Sequence, residues 1–124
     1  MEKELGKVTI APQVLLTIAR LTTLDTPGVA CMSPTLVGSV SRMLRRQRLN
    51  EGIRIVVEDD IVYIDLYIIV EPNISLLRLG RQIQHDVTRA ISDMLGMHVG
   101  EVNIHIQDVV VPALSERAKE GTDL

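Results

Sequence analysis

From Gly52 to Val70 the chain reads GIRIVVEDDIVYIDLYIIV, two alternating runs on either side of an Asp59-Asp60 pair. This stretch constrains the fold more than any other, because the register of a β-hairpin can be tested against its own residues. With Asp59-Asp60 as a two-residue turn, Glu58 falls opposite Ile61, Val57 opposite Val62, Ile55 opposite Ile64 and Ile53 opposite Leu66. The last three pairs are aliphatic on both sides, and a slip of one residue would send every side chain to the wrong face. The same register sets Arg54 opposite Asp65 and Val56 opposite Tyr63 on the other face. Opposite-charge and aromatic–β-branched pairs of this kind contribute about 0.2–1 kcal/mol each. Asp-Asp is a weaker turn signal than Asn-Gly or Asp-Gly, so the aliphatic pairing carries the assignment.

The remaining elements follow from periodicity. Lys7–Ile10 (KVTI) alternates like a short strand, with Val8 and Ile10 on one side. Pro12 suits the first position of a helix, where its missing N–H is not needed. From Pro12 to Leu24, Val14, Leu15, Ile18, Leu21 and Leu24 fall at helical spacing and predict one buried stripe. Pro27-Gly28 stops that helix, and Val29–Met32 reads as another short strand. Ser33–Asn50 keeps a helical rhythm in Val37, Val40, Met43 and Leu44, while Arg42, Arg45, Arg46 and Arg48 crowd its second half. Beyond the hairpin, Asn73 or Ser75 caps a long helix to Leu95, with Leu76, Leu79, Ile83, Val87, Ala90, Ile91 and Met94 as its apolar stripe. Gly80 replaces an apolar residue within that stripe, as expected where a strand approaches closely, and Gly96 ends the helix. Glu101–Gln107 alternates again, with Val102, Ile104 and Ile106 on one side and Glu101, Asn103, His105 and Gln107 on the other.

These elements predict an α/β (α+β) two-layer sandwich: one mixed sheet centred on the hairpin, with two main helices packed on one face. It is built as two strand–helix–strand units. Right-handed crossovers put both helices on the same side. At 124 residues the chain reads as a single domain over residues 1–111, followed by a solvated C-terminal tail over residues 112–124. The core must be aliphatic, since the chain has no Phe or Trp and its aromatic residues are Tyr63 and Tyr67.

Composition also narrows function. A net charge of −3 gives no general attraction to phosphate, and the shortage of aromatics removes the usual platforms for base stacking. A lone Cys31 permits no intramolecular disulfide, which suits a reducing, cytoplasmic setting. No apolar run approaches the ~20 residues of a membrane-spanning helix, and the N-terminus lacks the apolar stretch of a signal peptide. His85, His98 and His105 show no paired metal-ligand spacing, and Cys31 has no neighbouring Cys or His, so no metal site is expected. Surface histidines and a small buried thiol are the expected roles. Asp59-Asp60 serves the turn, and no catalytic constellation or cofactor motif stands out. The cluster of Arg42, Arg45, Arg46 and Arg48 admits two readings, a solvated helix face or a contact for RNA, as in a small RNA-binding module, or for anionic lipid. The first is preferred, because no phosphate-cradling glycine motif accompanies the arginines.

The second hairpin strand carries the most informative surface. Its inward set is Val62, Ile64, Leu66, Ile68 and Val70, and its outward set is Ile61, Tyr63, Asp65, Tyr67 and Ile69. Together with Val56, the residues Tyr63, Tyr67 and Ile69 form a stripe too apolar for a face fully in water. Either this stripe is an interface, or the Ser33–Asn50 segment or the tail shields it.

Three segments, GKVTIAPQVLLTIARLTTLDTPGVA (Gly6–Ala30), VYIDLYIIVE (Val62–Glu71) and IQHDVTRAISDMLGMHVGEVNIHIQDV (Ile83–Val109), carry a resemblance to a known family. The chain resembles the alkaline shock protein family of bacterial cell-envelope stress proteins. It departs at Leu95, where the family typically has Thr before the Gly, and its Met43–Leu49 segment lies where the family varies. The resemblance implies a cytoplasmic, non-enzymatic protein that self-associates as a homo-oligomer. It also implies a membrane-anchored partner protein, with localisation beneath the membrane through that partner and no direct insertion.

Overall fold

The structure is a computed structural model, and it describes residues 5–34 and 48–111. Helix α1 spans Pro12–Leu24, strand β1 Val29–Met32, β2 Arg48–Asn50, β3 Ile53–Glu58, β4 Ile61–Val70, helix α2 Leu76–Leu95 and β5 His98–Val109. The two helices cover one face of a five-stranded mixed sheet, giving the two-layer α/β architecture.

Strand β4 is the axis of the sheet. It pairs antiparallel with β3 from Ile53↔Leu66 to Glu58↔Ile61, with Arg54 opposite Asp65 and Ile55 opposite Ile64. Asp59 and Asp60 both have positive φ, 53° and 65°, the backbone of a type I′ turn whose twist matches the flanking strands. Further along the same edge β1 pairs with Val70, Ile69 and Ile68. The join between β3 and β1 falls at Tyr67, whose N–H donates to Gly52 O and whose carbonyl accepts from Ser33 N–H, both at 2.8 Å. A Cβ on Gly52 would stand 2.7 Å from the Tyr67 carbonyl oxygen, and φ is +71° there, so the seam needs glycine. On the opposite edge β5 runs parallel to β4 along its whole length, closing a β4–α2–β5 crossover.

Alternation along β4 is complete: every second residue from Val62 to Val70 is fully buried, and the residues between are half-buried. The inward set meets Ile53 and Ile55 of β3, Leu79, Ile83, Val87 and Ile91 of α2, and Leu15, Leu16, Ile18 and Ala19 of α1 in one aliphatic core. Ser75 caps α2 by accepting from Arg78 N–H, and Gly96 ends it in the left-handed conformation at φ 68°.

Several expectations need correction. Lys7–Ile10 forms no strand and pairs with none among the described residues, so the first of the two units lacks its opening strand. The buried face of α1 is Leu15, Leu16, Ile18, Ala19 and Thr23, while Val14, Leu21 and Leu24 are exposed. Apolar residues surround much of this helix, and Thr23 buries at little cost because its hydroxyl donates to Ala19 O at 2.7 Å. Leu76 and Met94, at the ends of the α2 stripe, are exposed. Gly80 faces open space rather than a close strand. Within Ser33–Asn50, Arg48–Asn50 forms β2 against β3 instead of continuing a helix, and Val37, Val40, Met43 and Leu44 lie outside the described residues.

Candidate functional site

The outer face of the sheet, away from the helices, is a lattice set by pairing. Val56 of β3 lies opposite Tyr63 of β4, Arg54 opposite Asp65, and Cys31 of β1 opposite Ile69. On the other side of β4, β5 places Glu101 beside Tyr63, Asn103 beside Asp65 and His105 beside Tyr67. Val56, Tyr63, Tyr67 and Ile69 therefore share one face, as their alternation predicts, and each is half-buried. Cys31 is exposed on this face rather than buried, because the neighbouring Met32 takes the inward position.

Asp65 is the polar centre. Its Oδ2 accepts from Arg54 Nε and from an Arg54 terminal nitrogen, both at 3.3 Å, and the same terminal nitrogen reaches the Tyr67 hydroxyl at 3.3 Å. Its Oδ1 accepts from Asn103 at 3.2 Å and lies 3.0 Å from His105 Nε2. Burial, the largest single influence, pushes the Asp65 carboxyl up. Hydrogen bonds from His105 and Asn103, with the charge and hydrogen bonding of Arg54, together outweigh it and hold the carboxyl below its ordinary value. An ionised carboxylate only accepts, so His105 Nε2 carries the proton it shares with Asp65.

Two aromatic placements flank this centre. The Tyr67 ring stacks on the His105 imidazole, with centroids 4.4 Å apart and planes 13° from parallel. The Tyr63 ring lies over Gly100, where a Cβ would come within 2.7 Å of it; glycine at this bulge lets the ring rest on the sheet. The face thus combines held aromatic rings, aliphatic edges at Val56 and Ile69, and a polar centre whose hydrogen bonds are made within the chain.

His105 and Asn103 are the site residues that residue patterning alone missed. Alternation already turned both away from Val102, Ile104 and Ile106, but it did not say on which edge of β4 their strand lies. His85 sits on the exposed face of α2, and His98 opens β5 opposite Ile61, so the three histidines stand on separate parts of the molecule. Among the described residues no three His, Cys, Asp or Glu side chains gather as a metal-holding group. Arg42, Arg45 and Arg46 of the basic cluster lie outside the described residues, while Arg48 opens β2.

Comparison with known proteins places this geometry in a family. The family model for alkaline shock proteins (Asp-23), described by a cell envelope-related function, matches residues 1–111. This chain belongs to the alkaline shock protein family. Among its relatives, the uncharacterized protein YqhY of Bacillus subtilis is 29% identical over 105 residues, covering 85% of this chain and 78% of that one. YloU of the same organism, also uncharacterized, is 25% identical over 108 residues, covering 86% and 90%. The uncharacterized protein Spy1535 of Streptococcus pyogenes is 25% identical over 107 residues, covering 86% and 81%. Two solved MamM CTD structures superpose with TM-scores of 0.47 and 0.48 at 12% and 11% identity, covering 77% and 79% of this chain and 95% and 98% of theirs.

Proposed function

We propose that this member of the alkaline shock protein family is a non-catalytic, cytoplasmic scaffold in cell-envelope stress and homeostasis. It self-associates and binds a partner protein through the outer sheet face. The observation that carries this reading is the half-buried stripe of Val56, Tyr63, Tyr67 and Ile69 around an internally matched polar centre. Tyrosine suits an interface because it offers an apolar ring and a polar hydroxyl. Burying a charge at an interface is costly unless it is paired, and Asp65 is already paired with Arg54. The family's cell envelope-related description supports the setting. Among the described residues no helix is long and apolar enough to cross a membrane, so the proposed place beneath the membrane runs through a membrane-anchored partner. Protein is favoured over nucleic acid as the occupant. Asp65, Glu101 and Asp108 stand on or beside this face against Arg54, a balance that repels phosphate.

The test is the double substitution Tyr63→Ser/Tyr67→Ser. Neither side chain belongs to the core, so the variant should melt within a few degrees of the parent while its mass in solution falls and partner capture is lost. Unchanged mass together with unchanged capture would place the interface elsewhere.

A further inference from the structure

Among the described residues, strand β5 pairs with β4 and leaves its other edge open. Val110 N–H donates to Val70 O. With the parallel register of Ile64↔Val102, Leu66↔Ile104 and Ile68↔Ile106, this turns the peptide groups of Val102, Ile104 and Ile106 outward. The side chain of Gln84 caps one of them, donating to Val102 O at 2.9 Å. Beyond that cap, alongside Ile104 and Ile106, a groove of about 360 Å³ opens between the edge and α2, walled by Leu76 and Leu77 and widened by Gly80. Leu77 is 72% exposed. Open edges with an apolar flank accept another strand.

The same chain carries a strand-like sequence, Gly6–Ile10, that joins no sheet among the described residues. It belongs to no helix or strand, with Val8 92% and Ile10 45% exposed, and the period-two alternation of its sequence would put both on one side of a strand. The segment cannot place them in its own groove. It joins α1 at Pro12, whereas the C-terminal end of α1 feeds β1 beside Val70, the end of the sheet where the groove lies. The 13 residues of α1 hold the two ends about 20 Å apart at 1.5 Å per residue. Val8 stands three residues from Ala11 and reaches only about 10 Å.

We infer that Gly6–Ile10 of one copy adds as a strand to the β5 edge of a second copy, with Val8 and Ile10 entering the groove formed by Leu76, Leu77, Ile104 and Ile106. Each chain carries both halves of the contact. This surface is separate from the outer sheet face and does not depend on the function proposed for it.

The experiment mixes two single-cysteine forms of the full chain, each in a Cys31→Ser background, one with Val8→Cys and the other with Leu77→Cys. Mild oxidation should give a disulfide-linked heterodimer as the main product. The companion substitution Val8→Asp/Ile10→Asp should lower the mass in solution at unchanged far-UV circular dichroism, because both sites are solvent-exposed in the single chain. The inference is overturned if the mixture yields no more heterodimer than random collision of exposed thiols, gauged with Leu21→Cys in place of Leu77→Cys. It is equally overturned if the aspartate variant keeps the parent's mass.

Discussion

Tyr67 and His105 stack across the β4–β5 boundary with ring centroids 4.4 Å apart, although they stand 38 positions apart in the chain. The parallel register that pairs them also brings Asn103 beside Asp65. The outer face is therefore a product of the β4–α2–β5 crossover as much as of the hairpin.

Asp65 should make the fold acid-sensitive. Its carboxyl lies below the ordinary value in the folded chain, so the unfolded chain binds more protons as pH falls. The stability it contributes is fully present above the unfolded pKa and is lost as pH drops through the lower folded one. Asp65→Asn should lower stability at neutral pH by about 1 kcal/mol, below the usual range for charged hydrogen bonds because the site is partly exposed. Urea midpoints measured from neutral pH down to the acid limit should converge for parent and variant.

Gly52 should tolerate no side chain. An added Cβ would meet the Tyr67 carbonyl at 2.7 Å and both Ser33 O and Met32 Cβ at 3.0 Å, in a left-handed backbone. Gly52→Ala should cost about 2 kcal/mol or more. Asp60→Gly, at φ 65° in the hairpin turn, should instead stabilise by about 0.5 kcal/mol, since Asp-Gly is the preferred type I′ pair. Thermal melting of the two variants should move in opposite directions.

Much of this was legible in the residues. The hairpin register was, because aliphatic side chains on facing strands agree in only one alignment; so were both helices, with Pro12, Ser75 and Gly96 marking their ends. The buried arc of α1 was not, because Val14, Leu16, Leu21 and Leu24 offer competing apolar stripes and only the partner layer chooses among them. For the outer face, Val56, Tyr63, Tyr67 and Ile69 follow from alternation within the hairpin. His105 and Asn103 need a long-range parallel pairing, and nothing local encodes which edge of β4 receives β5. Cys31 sits in a four-residue strand, too short for its alternation to separate inside from outside.

The core should separate sharply from the outer face in its response to truncation. Ile64 and Ile83 are fully buried, and replacing either with Ala should cost about 2–5 kcal/mol. Tyr63→Ser/Tyr67→Ser should cost much less. Chemical denaturation of these variants side by side gives the comparison.

Site-specific photo-crosslinking tests the central claim most directly. A benzoylphenylalanine placed at Tyr67 on the outer face, and in a separate variant at the exposed Arg20 of α1, would be irradiated in intact cells. Discrete protein adducts are expected from position 67, with position 20 giving none above background. Adducts from position 20 with none from position 67 would contradict an interface on the outer face.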